Sequence, residues 1–417
     1  MKTLIHNIGQ LLTLNPAADG LGESIGMAVL IQDERIVWIG ETQEVDSGRA
    51  DVVIDARGGL VTPGLIDSHT HAIFAGNRAN EFEMRLQGKS YLEIAASGGG
   101  ILKTVEATRQ ASAEELYALT RKRLLRMLSY GVTTVEVKSG YGLDFETERK
   151  CLRVLRQLQS DLPMTIVPTY MGAHDIPPEF KGRTDDYVDL LCQEYIPAVA
   201  AEGLAVFCDV FCEQGYFDVA QSRRILEAAR QHGLHLKVHA EEFCELGGAE
   251  LAGELRATSA DHLLHIGEKG IAALRAGGAV ATLLPGTAFY LRLEQYAPAS
   301  ALIAAGVPVA LATDFNPGSC AIDNLQLIMS LACLQMNMTL SDVLKGVTRH
   351  AAKAVGLEAD RGYLAVGSRA DLVLWDALDY QELLYYVGRN PVRGVVVSGT
   401  YFSREQLEAQ SLSETTP

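Results

Sequence analysis

The chain has no apolar run long enough to span a membrane, its richest stretch near Ala301 being broken by Gly306 and Pro308. A membrane-crossing helix needs about 20 consecutive apolar residues, so none is expected. Nor is a signal peptide expected, because Lys2 is followed by a mixed segment containing His6, Asn7 and Gln10. Positive charge is scarce: 36 Lys and Arg stand against 52 Asp and Glu, a formal net charge of −16. Nucleic acids and anionic membranes reward basic surfaces, so neither is an expected partner. Cysteine is sparse, at seven in 417 residues, and no Cys-x-x-Cys pair of the metal-binding kind occurs. An odd number without that spacing predicts reduced thiols, Cys208 and Cys212 in the core, and a cytoplasmic location. Short internal repeats and low-complexity segments are absent as well.

What is there is an alternating α/β texture with β-rich ends. At 417 residues the length suits a barrel plus one small companion. Near the start, Ala28-Val29-Leu30-Ile31 and Ile36-Val37-Trp38-Ile39 flank four polar residues and predict a hairpin. A similar texture returns in residues 370–375 and 392–397. Neither end has enough strands for a sandwich alone, so the two are expected to pair into one composite β-sandwich domain. Between them, β-runs alternate with amphipathic helices such as residues 113–130 and 146–158. The candidate strands are 65–74, 132–137, 164–169, 206–211, 236–239, 261–264, 280–284 and 307–312. Eight strands in parallel βα units predict a TIM-type (β/α)8 barrel. The expected divisions are 1–61 and 363–417 for the composite domain and 62–362 for the barrel. The last residues of the Ser-, Thr- and Glu-rich tail are expected to be loosely held.

The run Gly64-Leu65-Ile66-Asp67-Ser68-His69-Thr70-His71 ends an apolar stretch on two histidines at alternate positions. Alternate residues of a strand share a face, so one ion can accept both imidazoles. By itself such a pair reads as two solvated histidines at a strand end. Three later segments change that: Leu236-Lys237-Val238-His239-Ala240-Glu241-Glu242, Ala260-Asp261-His262-Leu263, and the run through Thr313-Asp314-Phe315-Asn316-Pro317-Gly318. Each places a polar group where its strand stops, and a βα barrel gathers the C-terminal strand ends onto one active face. Three imidazoles and a carboxylate suit zinc or ferrous iron with a position left for water.

These runs, with Thr62-Pro63 ahead of the first, Arg78 after it, and Lys138-Ser139-Gly140-Tyr141-Gly142, resemble over nearly the whole chain the imidazolonepropionases of the amidohydrolase superfamily. The resemblance implies one divalent metal per subunit, zinc or iron, on His69, His71, His239 and Asp314. Other amidohydrolases bridge a second metal with a carboxylated lysine on strand four, whereas residues 205–214 here hold no lysine. It also implies a homodimer acting on a small molecule, 4-imidazolone-5-propanoate, hydrolysed to N-formimidoyl-L-glutamate in histidine degradation.

Residue roles follow from the same resemblance. Glu242 is the implied general base, with Asp314 able to share the proton, and His262 is placed for the developing oxyanion or the nucleophile. Arg78 matches the residue that binds the propionate, for which a guanidinium is well shaped. Tyr141, His174, Tyr91, Asn316, Gly318 and Ser319 complete the expected substrate contacts, and Glu242 doubles as one. Ser97-Gly98-Gly99-Gly100 reads as an ordinary flexible loop, with folding over the ligand as the alternative. His6, His232, His265 and His350 fall outside the pattern, and His235, although four residues before His239, lies in an alternating strand-like run. A nucleobase deaminase of the same superfamily shares the metal motifs, but Arg78 and residues 138–142 separate the two. A non-catalytic metal scaffold is disfavoured by Glu242 beside a complete ligand set.

Overall fold

Strands gather the two chain ends into one sheet and leave the middle of the chain to form another. The computed structural model describes residues 1–417 except 46, 47, 49, 90–92, 94–98 and 413–417. The N-terminal part supplies β1 (Lys2–Leu12), β2 (Glu23–Gln32), β3 (Arg35–Glu41), β4 (Val52–Asp55) and β5 (Leu60–Pro63). As the sequence predicts, β2 and β3 form a hairpin, with Gln32 opposite Arg35. The barrel strands are β6 (Leu65–Asp67), β7 (Val132–Lys138), β8 (Thr165–Ala173), β9 (Phe207–Cys212), β10 (His235–Ala240), β11 (Ser259–His262), β12 (Val280–Leu283) and β13 (Val309–Leu311). The C-terminal part adds β14 (Leu372–Trp375), β15 (Val392–Val397) and β16 (Thr400–Ser403).

The terminal strands form one continuous sheet in the order β16-β15-β14-β5-β1-β2-β3, with β4 also on β1. The composite domain is therefore a single hydrogen-bonded sheet rather than two separate ones. It encloses a small core of its own, including Ile5, Val29, Ile36, Val61, Leu372 and Val396. Strand β5 runs across the expected division at 61/62 and pairs with both β1 and β14. The chain then crosses Gly64, where a Cβ would come within 2.1 Å of Thr133 Oγ1, and enters the barrel.

All neighbouring barrel strands are parallel, in the order β13-β12-β11-β10-β9-β8-β7-β6. Closure comes just beyond β6 and β13, where Asp314 N donates to His69 O at 3.0 Å and His71 N to Phe315 O at 2.9 Å. The first strand is shorter than the expected 65–74, because after Asp67 the backbone takes one bond from β7, Lys138 N to Thr70 O, and otherwise turns to the two seam bonds beyond β13 instead of continuing one ladder. The sixth is shifted earlier than 261–264: the chain turns at His262 (φ 77°) and Leu263 (φ 62°).

Helices pack on the outside of this ring. Ala113–Ser129 is capped by Ser112, whose side chain accepts from Glu115 N, and Phe145–Asp161 by Asp144, which accepts from Thr147 N. The second helix turns Cys151, Leu152, Val154, Leu155 and Leu158 inward, the helical spacing seen in the sequence. Past β16, helix Arg404–Leu412 buries Leu407, and the expected loose tail, 413–417, lies outside the described residues. All seven cysteines are free, Cys208 and Cys212 among the buried ones. Among the described residues no helix is long and apolar enough to cross a membrane.

Candidate active site

Four donor atoms from three distant parts of the chain converge at the C-terminal ends of the barrel strands. His69 Nε2 and His71 Nε2 each lie 3.5 Å from Asp314 Oδ1, and His239 Nε2 is 3.4 Å from His71 Nε2. His69 and His71 follow β6 at alternate positions, His239 is next to last in β10, and Asp314 follows β13. All four are at most 3% exposed. Burial pushes His69 and His71 well below the ordinary imidazole value, so both are neutral and offer a lone pair. Burial likewise pushes the Asp314 carboxyl up to about 6.

A buried layer beneath sets how these imidazoles point. His69 Nδ1 meets Asp261 Oδ2 at 2.6 Å, so its N–H lies there and its Nε2 is free. That Nε2 is buried without a hydrogen-bond partner. His239 Nδ1 lies 3.0 Å from Asp209 Oδ2, a close contact whose N–H is off the line of a good hydrogen bond. Lys138 and Lys237, both fully buried, reach these carboxylates. The orphaned Nε2 and the nitrogen-rich donor set fit a bound divalent ion. His69, His239 and His262 form a second group with converging ligand atoms.

Over the cluster opens a cavity of ≈ 580 Å³, lined by His71, Arg78, Tyr141, His174, His239, Glu242, His262, Asp314, Asn316, Gly318 and Ser319. Nearly every site residue expected from the sequence is thus brought to one place. Glu242 Oε2 is 3.6 Å from His262 Nε2, and burial, reinforced by Asp314, raises the Glu242 carboxyl well above its usual range. Glu241, His262 and Asp314 hold positive φ angles of 50°, 77° and 51°. Such strain in non-glycine residues gathers at functional sites, where the chain must turn sharply to aim a side chain.

Loops place the cavity-facing groups. Glu148, fully buried, accepts from the backbone N–H groups of Gly140, Gly142 and Leu143 and so clamps the loop carrying Tyr141. Gly140 O in turn contacts His174 Nδ1 at 2.9 Å, and the His174 ring stacks on His71 with centroids 4.8 Å apart. Asn316 lines the cavity, yet its amide serves its own loop: Nδ2 donates to Asp314 O, and Oδ1 accepts from Gly318 N and Ser319 N. A Cβ on Gly318 would come within 2.1 Å of Arg78 Nη2, so the guanidinium lies flush against this backbone. Tyr91, Ser97 and Gly98 lie outside the described residues. Gly100 N donates to Glu81 Oε1 and begins helix Ile101–Gln110. His235 is exposed at the start of β10, away from the cavity, as its strand-like run predicts.

Sequence reasoning missed the walls and the floor. Phe211, Tyr216, Phe243, Leu291 and Leu293 line the cavity, as do Glu81 and Arg85. The floor had a signal: Glu136 and Lys138 alternate in β7, and Asp209 interrupts an apolar β9. Charge inside a barrel strand needs a buried partner.

The amidohydrolase family model matches residues 60–401, which include every barrel strand. The chain is 47% identical to an imidazolonepropionase from Alkaliphilus metalliredigens over 96% of this chain and 97% of that protein. An imidazolonepropionase from Bacillus velezensis shares 47% over 97% and 98% of the two chains. Among solved structures, an adenosine deaminase from Xanthomonas campestris with bound zinc has a TM-score of 0.73 at 18% identity, covering 99% of this chain and 97% of that one, a likeness of fold. With the family model over most of its length and near-half identity to these relatives end to end, the chain belongs to the imidazolonepropionases of the amidohydrolase family.

Proposed function

We propose that this chain hydrolyses the ring amide of 4-imidazolone-5-propanoate to N-formimidoyl-L-glutamate, a step of histidine degradation, using one divalent ion on His69, His71, His239 and Asp314. The observation that carries this reading is a single cavity lined by His71, His239 and Asp314 of that donor set, with His69 converging beneath on His71 and Asp314, and by the Arg78 guanidinium, a fork suited to a substrate carboxylate. Zinc and iron both suit the donors, and elemental analysis decides between them. When bound, such an ion lowers the pKa of a coordinated water to about 7 and polarises a carbonyl oxygen.

The protein's own groups then have distinct tasks. Glu242 accepts a proton from the attacking water as its oxygen bonds to the ring carbonyl carbon. His262 donates a hydrogen bond to the oxygen that becomes anionic, a contribution strengthened by the dry surroundings. The ring C–N bond breaks as its nitrogen takes a proton returned by Glu242 or Asp314, and no ammonia is released. Arg78 and Tyr141 hold the propionate end, so that the carbonyl meets the water in one orientation.

Arg78→Met removes the charge and paired donors at similar length. A charge-assisted hydrogen bond contributes about 1.5–3 kcal/mol, so kcat/KM is expected to fall by roughly 10- to 200-fold with metal content unchanged. Steady-state kinetics on the propionate and on its neutral amide check this. Equal losses on both would make Arg78 structural. Gly318→Ala tests the same contact from the other side. The added methyl displaces only the far end of a flexible side chain, so stability should hold, while kcat/KM falls by up to about 100-fold for a misplaced anchor. An unchanged kcat/KM would mean that the guanidinium binds from elsewhere.

The whole reading is tested by giving the metal-loaded protein freshly made substrate and following loss of the ring chromophore with appearance of the formimino product. Ammonia release from nucleobases, without ring opening, would favour the deaminase alternative. We extend the proposal to a cytoplasmic location, with which seven unpaired thiols are in keeping, and to a homodimer, which rests on the family resemblance. A monomer mass by sedimentation equilibrium would reject the dimer.

A further inference from the structure

Lys138 heads the run Lys138-Ser139-Gly140-Tyr141-Gly142, yet no step of the proposed reaction uses it. It ends β7, and its side chain is fully buried. An ammonium is strongly disfavoured in such a place unless anions surround it. Here Nζ lies 2.8 Å from Glu136 Oε1, 2.7 Å from Asp209 Oδ2 and 3.8 Å from Asp261 Oδ2. Two of these oxygens are the ones that face histidines: Asp209 Oδ2 is 3.0 Å from His239 Nδ1, and Asp261 Oδ2 is 2.6 Å from His69 Nδ1. The two carboxylates differ in their other support. Asp261 also has Lys237 at 3.9 Å, whereas among the described residues no other lysine or arginine pairs with Asp209.

We propose that Lys138 is a positioning residue for the metal centre: its ammonium pins Asp209 at the point from which that carboxylate aims His239 at the ion. The proposal rests on the ligand assignment above and extends it by one residue. A carboxylate on Nδ1 fixes both the tautomer and the direction of Nε2, and loss of such an outer partner commonly weakens metal binding about 10- to 100-fold. Without Lys138, Asp209 would keep only the Val210 N–H on Oδ1 at 2.8 Å, its Oδ2 would be a buried oxygen with no cation beside it, and His239 would lose its aim. His69, whose Asp261 keeps Lys237, should be disturbed less.

The test uses cobalt(II) in the full-length protein, reading its affinity by competition with a chromophoric chelator and its geometry from the visible ligand-field bands. Lys138→Met is expected to weaken cobalt binding about 10- to 100-fold and to shift those bands. Asp209→Asn should do the same. The double variant should bind within about twofold of Asp209→Asn, because Lys138 then has nothing to act through. A Lys138→Met protein with the parent's bands and affinity, whatever its melting temperature, would overturn the proposal and leave the lysine a packing residue. If Lys138→Met does not fold, the double variant removes one charge of each sign and is compared with Asp209→Asn alone. Equal affinities support the proposal, and a further tenfold loss overturns it. A parent protein that takes up no cobalt would fail before any substitution, and would overturn the ligand assignment together with what rests on it.

Discussion

Replacing His239 by alanine is expected to empty the metal site and abolish ring opening, and His69→Ala should do the same. Either change leaves two imidazoles and Asp314, and three donors hold a divalent ion far less tightly than four. The structure adds a reason for the size of the effect. Each imidazole also covers a buried carboxylate, Asp209 under His239 and Asp261 under His69, and its removal leaves that anion facing an open cavity. The anion remains paired with lysine, so the fold should survive and the loss should be of metal rather than of structure. Metal analysis after dialysis, with circular dichroism on the same sample, separates these. A variant that keeps one equivalent of metal and the parent rate would remove its residue from the ligand set.

The second large effect is expected from Glu242→Gln, with full metal content and turnover reduced about 10²- to 10⁴-fold. The amide still hydrogen-bonds a water but cannot take its proton. Burial and the nearby Asp314 already raise the Glu242 carboxyl well above its usual range, which brings its basicity closer to that of the water it serves. Its 3.6 Å separation from His262 puts the proposed base and the proposed oxyanion donor on the same side of the cavity. Near-normal kcat in a metal-loaded glutamine variant would assign the proton to Asp314, whose own carboxyl is raised to about 6 by burial.

Much of this protein is determined by local pattern. Alternation put His69 and His71 on one face, an apolar run ending on His239 marked the end of a strand, and eight such runs separated by amphipathic helices gave the barrel its strand number. These features depend on spacing along a few residues, which the sequence displays directly. The short ladder of β6 and the early stop of β11 were not legible, since both depend on where the backbone finds partners across the barrel seam and on a turn through positive φ at His262.

The tertiary structure alone decided what stands behind each proposed ligand. His69 and Asp261 are 192 positions apart, and their contact exists only because the barrel wraps β11 round to the level of β6. Lys138, Asp209 and His239 come from three different strands, and the charge on each is visible in the sequence while its partner is not. The same holds for Arg78 against Gly318, where the need for glycine comes from a guanidinium 240 positions earlier rather than from any turn. Burial selects among the possible pairings, because inside the barrel water cannot satisfy a charge and only the geometrically nearest opposite group can.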